Sequence, residues 1–499
     1  MNLADAFART ATIHAEKIAI FWGDEEWAYR RVAGQAGAVA AELGGRWGIR
    51  PGDRVGLWLK NGPEFVVALF GVLGAGGVAT PINNFLKPDE VIQILADASI
   101  DLLIFDDSLS EGVERLRAER PSLRAWNINE FPSAETGGGL TASGRTEEDL
   151  AILIYTSGTT GRPKGVMLSH GNLLHNVESC RLVLEAEGSD RIVLLLPMFH
   201  SFMLTVSILL PMLVGGSIVL IKSVHPPKNI IQEVIHRQAT ILPGVPQFFR
   251  MFSHIPLPPE LPLRVCISGG APLPAEILRE FNARFSIPLL EGYGLSEASP
   301  VVSFNPIRGP WKAGSIGVPV SSVEMSIQDD AGKILEPGET GEVCVRGGNV
   351  MRGYWNAPAE TARTFRDGWL LTGDVGHRDT EGYFFITDRK KDMLLVNGIN
   401  VYPREIEEVI YRFPGVKEAS VVGVPDARRG EQPVAFVAAH EGVTLAERDL
   451  LHFVREKLAD YKIPKHVVFV PALPRNATGK VLKTALKEKW ASGASRPEA

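Results

Sequence analysis

Residues 153–166 read Leu-Ile-Tyr-Thr-Ser-Gly-Thr-Thr-Gly-Arg-Pro-Lys-Gly-Val. The apolar run just before and into them, Ala151–Tyr155, predicts a strand entering a core. Behind it comes a polar loop, Thr156, Ser157, Gly158, Thr159, Thr160 and Gly161, followed by Arg162 and Lys164. Glycines let backbone N–H groups turn towards an anion, hydroxyls add donors at the same edge, and Lys164 adds a point charge. That is the equipment for gripping a polyphosphate, and a solvated turn has little use for it.

A Walker-type loop has its Lys directly after a Gly and a hydroxyl residue directly after the Lys. Here Arg162 and Pro163 separate Gly161 from Lys164, and Gly165 follows. The run Tyr155–Val166 instead resembles the phosphate-binding signature of the adenylate-forming superfamily, which holds acyl- and aryl-CoA synthetases, luciferases and adenylation domains.

Working outward, Val55–Lys60, Glu64–Gly74 and Gly77–Pro81 predict strand, helix and strand, and Lys87–Ala98 with Leu102–Phe105 repeats the alternation. Ser169 suits the cap of a helix over His170–Ala186, and Leu263–Ser268, Pro274–Arg284 and Pro288–Tyr293 form another such unit. This is the grammar of a parallel sheet covered by helices, whose ligands bind at the carboxyl ends of strands. From about Gly314 the pattern turns to short alternating runs with turn signals, predicting a β-rich subdomain. After Asp388 the helical stretches Arg404–Arg412 and Leu445–Leu458 mix with strands at Val416–Val424, Pro433–Ala439 and Val467–Val470. The expected organisation is therefore α/β: a large N-terminal domain of βαβ-layered sheets with its β-rich subdomain over 1–387, and a small mobile α+β C-terminal domain over 388–499.

At 499 residues the chain exceeds one ordinary core. An apolar content of 45% with 22% charged residues fits a globular protein, and a net charge of −6 gives no reason to expect nucleic acid. Cys180, Cys266 and Cys344 form no Cys-x-x-Cys pair, which argues against disulfides and zinc and for a reducing, cytoplasmic setting. Met1–Lys17 lacks the apolar centre of a secretory signal. Ile192–Ile221 carries no Asp, Glu, Lys or Arg, but Pro197, Pro211 and Gly215-Gly216 break it into strand, helix and strand, so the expectation is no transmembrane span, with peripheral membrane contact left open.

Glu291-Gly292-Tyr293-Gly294-Leu295-Ser296-Glu297 is the second landmark. Its glycines let a backbone pass near a flat ring, Tyr293 suits stacking, and Glu297 suits a hard cation, since Mg²⁺ held with a nucleotide takes only one or two protein carboxylates. The resemblance implies adenine stacking by Tyr293, phosphate contact by Ser296 and Mg²⁺ ligation by Glu297, and makes Gly269-Gly270-Ala271-Pro272 the adenine-edge loop. Ser296 stands where a Thr is more common in that family. In Trp369-Leu370-Leu371-Thr372-Gly373-Asp374 a carboxylate follows a turn glycine; the resemblance gives Asp374 the ribose hydroxyls and puts Arg389 beside ribose or phosphate. Gly341–Gly347 resembles a structural motif of the family.

The resemblance also implies a hinge at Asp388, a thiol-tunnel loop in Asn397-Gly398-Ile399-Asn400-Val401-Tyr402-Pro403, and a catalytic Lys480 bridging carboxylate and α-phosphate in Pro474-Arg475-Asn476-Ala477-Thr478-Gly479-Lys480. His200 is expected to border the carboxylate pocket. The reaction implied is ATP-dependent activation of a carboxylic acid to acyl-AMP, then transfer to a thiol, with ATP, Mg²⁺ and CoA as the cofactor set and Lys480, Glu297, His200 and Lys164 as the catalytic set. The acid is read from Met198–Leu210 and Gly244–Met251, both mainly apolar, in which Arg250 is the one cation. That favours a medium- or long-chain fatty acid, with an aromatic acid as rival. CoA or an acyl carrier protein would accept the acyl group. A monomer or homodimer is expected, and a degenerate nucleotide-binding sensor is the non-enzymatic alternative.

Overall fold

The structure, a computed structural model, describes residues 1–132, 139–140, 143–157, 163–256, 260–397, 399–426, 428–476 and 479–493. Among these, two large sheets form the N-terminal part. The first runs in the order Arg124–Asn127, Leu102–Phe105, Arg54–Trp58, Val78–Pro81, Leu150–Ser157, Pro163–Ser169. Its strands are parallel up to the last pair, which is antiparallel. The second has nine strands, and its middle, from Leu289–Gly294 through Val265–Ser268, Ile241–Gly244, Arg191–Leu194 and Ser217–Leu220 to Ile18–Trp22, is parallel.

Helix Pro63–Gly74 opens on Pro63 at its first turn with Glu64 beside it, the favoured start for a helix. Its residues Phe65 to Leu73 are buried on every side, as a helix without a polar face must be. It belongs to one continuous core that joins strands of both sheets. The apolar stretch from Ile192 to Ile221 resolves as expected into strand Arg191–Leu194, a π-helical turn Met203–Leu209 running into helix Leu210–Val214, and strand Ser217–Leu220. No helix among the described residues is long and apolar enough to cross a membrane.

Strand Pro163–Ser169 is not announced by the sequence. It starts on a proline, contains Gly165, and alternates poorly. It forms because its partners flank it: Leu150–Ser157 on one side, and the Arg352–Trp355 segment on the other, through Met167 N–H to Gly353 O (3.0 Å) and Trp355 N–H to Gly165 O (2.7 Å). The strands on either side of the predicted phosphate loop are therefore antiparallel partners, with Thr156 paired directly opposite Lys164.

The β-rich part is a five-stranded sheet, with Val323–Gln328, Gly341–Gly347, Trp369–Arg378 and Phe365–Arg366 in order and Phe384–Arg389 beside Trp369–Arg378. The C-terminal part builds a separate five-stranded sheet around the long pair Val416–Asp426 and Gly430–Ala439, covered by helices Pro403–Tyr411, Glu447–Arg455 and Lys483–Ala491. It has its own apolar clusters, one on each sheet face.

Candidate active site

Thr156 and Lys164 on the two paired strands, the end of strand Leu289–Gly294, and Asn476 and Lys480 of the C-terminal part meet at one cleft with a cavity of about 450 Å³. Thr156, Lys164, His200, Ser201, Gly270, Tyr293, Ser296, Glu297, Arg389 and Lys480 all line it. The predicted Gly158, Thr159, Thr160, Gly161 and Gly398 lie outside the described residues, as does the side chain of Ser157. Lys164, Arg389, Lys390, Lys391 and Lys480 face the same space, with Glu297 as the one carboxylate among the described lining residues. Such an excess of cations in a concave site suits a polyanion.

Lys164 pairs with Glu360 at 2.5 Å and lies over the ring of Tyr354, 5.4 Å from its centre. The Tyr354 hydroxyl donates to Glu297 Oε1 at 2.8 Å. Burial first, and Glu297 second, raise that phenol well above its ordinary value, so it stays a donor at any working pH. Tyr354 and Glu360 escape sequence reasoning, because only the pairing of Arg352–Trp355 along strand Pro163–Ser169 brings them here. Ser201, a further residue the sequence does not single out, shares a hydrogen bond with Ser296 (3.0 Å).

Asp374 and Arg389 stand directly opposite each other on antiparallel strands, and Arg389 Nε reaches Asp374 Oδ1 at 2.8 Å. The Tyr293 hydroxyl donates to Asp374 Oδ2 at 2.5 Å. Asp374 is 3% exposed, so its carboxylate is fixed by two donors before any ligand arrives. The preceding Gly373 N–H donates to Glu342 Oε1 (2.9 Å), and Lys390 pairs with the same carboxylate at 2.8 Å. Strand Gly341–Gly347 thus has the structural part expected of it.

The glycines of the second landmark also serve the packing of the protein's own chain. A Cβ on Gly292 would lie 2.7 Å from the Phe304 ring, and one on Gly294 would lie 2.2 Å from Pro300 O. Those glycines make room for the protein's own chain, while both also line the two cavities. At Gly270 the φ of 77° is the left-handed region that glycine takes without strain, and a Cβ there would meet only Val245 Cγ1, at 3.8 Å. Glu291 is 6% exposed and accepts the Leu273 N–H at 3.0 Å, which braces the Gly269–Pro272 loop. Burial, with Glu408 as a minor contributor, pushes its carboxyl up to about 7. Glu291, Ala271 and Pro272 line a second cavity that reaches the C-terminal part and is shared with Asp374 and Lys480.

His200 Nδ1 accepts the Phe202 N–H at 3.3 Å. Burial, and then the Lys480 charge, bring its imidazole down to about 4. The ring is therefore neutral near pH 7, and since Nδ1 accepts, the proton sits on Nε2. Lys480 itself is lowered to about 8 by its protein surroundings and by Arg389, although its side chain still reaches solvent. Its turn is closed by Asn476 N–H to Lys480 O and Lys480 N–H to Asn476 Oδ1, both 2.9 Å. Asn397, predicted for the thiol loop, is exposed and lines neither cavity. Its N–H is held by Arg429 O at 2.8 Å.

Beyond His200 the wall becomes apolar: Cys180, Val183 and Leu184 from the end of helix His170–Val183 and just after, with Phe202, Val206 and Phe304. This corrects the expected pocket. Phe248 and Phe249 are not walls; helix Pro246–His254 turns them into an aromatic cluster with Phe252 and Phe281. Met203 and Leu204 are fully buried in the main core. Arg250 points away from the acid site altogether, into the C-terminal part.

Among the described residues no group of three or more His, Cys, Asp or Glu side chains is placed to hold a metal by itself. All three cysteines are free and buried.

The model of the AMP-binding enzyme family matches residues 7–355, and that of the AMP-binding enzyme C-terminal domain matches residues 405–480. A long-chain-fatty-acid–CoA ligase of Bacillus subtilis is 36% identical over 484 residues, covering 89% of this chain and 86% of its own. A feruloyl-CoA synthase of Amycolatopsis is also 36% identical, over 465 residues and 92% of each chain. The crystal structure of ATP-bound MatB from Rhodopseudomonas palustris superposes with a TM-score of 0.91 at 34% identity, covering 98% of this chain and 99% of that one. The apo structure of the same protein gives 0.79 at the same identity, with 99% of both chains covered.

Proposed function

The chain belongs to the AMP-binding enzyme family and is an AMP-forming acid–thiol ligase, and we propose that its acid is a medium- or long-chain fatty acid handed to CoA. ATP and the acid would give acyl-adenylate and pyrophosphate, and the CoA thiol would then take the acyl group and release AMP. The observation that carries this reading is the meeting of Lys480, Lys164 and Arg389 at one cleft with an apolar wall, with Asp374, paired to Arg389, in the adjoining cavity. In-line attack on phosphorus needs positioning and charge neutralisation rather than a protein nucleophile. Lys164 and Lys480 supply the charge, Asp374 accepts the ribose hydroxyls, and the neutral His200 offers Nε2–H at the mouth of the acid pocket. Glu297 fits Mg²⁺ as the one carboxylate among the described residues lining the cleft, and the ion would offset charge on the departing pyrophosphate.

The closer superposition on the ATP-bound relative supports an arrangement in which Lys480 serves adenylation. The exposed Asn397 loop would then replace it for thioester formation, by rotation about Asp388. The Asp388 carboxylate now holds Arg389 N–H (2.7 Å) and Arg404 N–H (2.9 Å), at the start of helix Pro403–Tyr411. The described residues of the apolar wall offer no cation for a second carboxylate, and Arg250 is turned away, which favours a monocarboxylate. An aromatic acid is the second reading, supported by the feruloyl-CoA synthase likeness and by the Phe202 and Phe304 rings in the wall.

ATP–pyrophosphate exchange with octanoate, palmitate, benzoate and ferulate tests both. Exchange strongest with a fatty acid is the expected result, and exchange strongest with ferulate or benzoate replaces the first reading by the second. ATP binding without exchange for any acid would leave only a nucleotide sensor.

A further inference from the structure

Arg250 is 5% exposed, yet its guanidinium serves no part of the cleft. It sits on helix Pro246–His254 of the N-terminal part and crosses to the C-terminal sheet. Nη1 donates to Lys417 O, Nη2 donates to Val416 O at 3.4 Å and meets His440 Nε2 at 3.3 Å, and Glu280 Oε1 lies 3.6 Å from Nη2. Val416 and Lys417 open the strand Val416–Asp426, and His440 follows the strand Gly430–Ala439, so one side chain grips the shared end of the two central strands. Burial, and then Arg250 itself, hold the His440 imidazole below its ordinary value, which leaves it neutral and able to accept.

From this contact we propose that Arg250 is a positioning residue, a clasp that selects the domain arrangement in which Lys480 reaches the cleft. The proposal rests on the two-step reading above. A buried guanidinium needs acceptors on all sides, and here three of the four come from the part that must move. Rotation of the C-terminal part takes Val416 O, Lys417 O and His440 away together and leaves Glu280. The contact therefore favours one arrangement and not the other, which is the condition for shifting an equilibrium between them. Arg475, paired with Glu418 at 3.1 Å, and the Lys480 turn lie on the same moving part, so losing the clasp withdraws the lysine without touching it.

The test is a split of half-reactions in Arg250→Met, which keeps volume, and Arg250→Lys, which keeps charge but cannot fork to two carbonyls. Adenylation is read by ATP–pyrophosphate exchange, and thioester formation by CoA consumption from supplied acyl-adenylate. Arg250→Met is expected to slow exchange about tenfold or more, in line with loss of hydrogen bonds to a charged group, while thioester formation holds or rises. Arg250→Lys falls between, and His440→Ala gives a smaller loss in the same direction. Equal loss in both half-reactions with a lowered Tm in the Met and Lys variants overturns the clasp, as do two unchanged rates. Wild-type protein that exchanges pyrophosphate with no acid overturns the two-step reading and the clasp together, whereas wild-type exchange with unsplit variants overturns the clasp alone.

Discussion

The hydroxyl of Tyr293 donates to Asp374 Oδ2 at 2.5 Å, across a gap in sequence that places them in different sheets. The bond ties the second landmark to the carboxylate proposed to take the ribose, so the nucleotide would meet a carboxylate already oriented. Tyr293→Phe keeps the ring and removes the donor. A hydrogen bond to a charged group contributes roughly 1.5–3 kcal/mol; an increase of about tenfold in KM for ATP is expected, with KM for the acid unchanged. An ATP titration of pyrophosphate exchange checks it, and an unchanged KM for ATP refutes the orienting role.

Lys480 gives a pH signature. Its ammonium is lowered to about 8, so in the free enzyme it is charged below that pH and neutral above. The kcat/KM for ATP in pyrophosphate exchange should fall as pH rises through about 8, because kcat/KM reports free-enzyme groups. The corresponding limb in kcat should lie higher, since bound phosphates favour the charged form. Lys480→Arg should lose the limb, because a guanidinium does not titrate there. His200, near 4, should contribute nothing between pH 6 and 8; an inflection there that vanishes in His200→Phe would contradict its neutral state.

Glu297→Gln leaves a side chain that still accepts from Tyr354 but carries no charge for a cation. The Mg²⁺ concentration for half-maximal exchange should rise about tenfold, in keeping with a lost ligand of one or two. A Mg²⁺ titration at saturating ATP that matches wild type removes Glu297 from the metal.

Much of this site is local in the chain, and that is why it is legible. Lys164, Glu297, Asp374 and Lys480 each sit in a short motif whose neighbours set the backbone, and the structure brings all four to two adjoining cavities. What depends on which way a helix turns is not legible. Gly244–Met251 reads as an apolar wall, but helical spacing sends Phe248 and Phe249 to the core and Arg250 to the C-terminal part. Tyr354 arrives through strand-edge pairing with a segment remote in sequence, and the wall at Cys180, Val183 and Leu184 comes from a helix whose sequence carries no sign of a ligand. Close approach at the glycines of the second landmark is legible, but that Phe304 and Pro300 are among the neighbours they admit is not.

That wall gives its own test. Leu184→Trp should shorten the apolar pocket, and a misfit of a methylene or two is worth roughly 1–3 kcal/mol. kcat/KM should fall at least about tenfold for the longest acid accepted and stay near wild type for the shortest. A uniform loss along a chain-length series would show that the acyl chain does not run towards helix His170–Val183.

The most direct measurement takes Lys480→Ala through the two half-reactions separately. Adenylation, read by ATP–pyrophosphate exchange with the preferred acid, should fall about a hundredfold or more, the usual effect of removing a preorganised contact to transition-state charge. Thioester formation from supplied acyl-adenylate and CoA should stay within about twofold of wild type, since Lys480 would have left the cleft by then. Equal loss in both steps, or an exchange rate that survives the substitution, would contradict a cleft that Lys480 serves for adenylation alone.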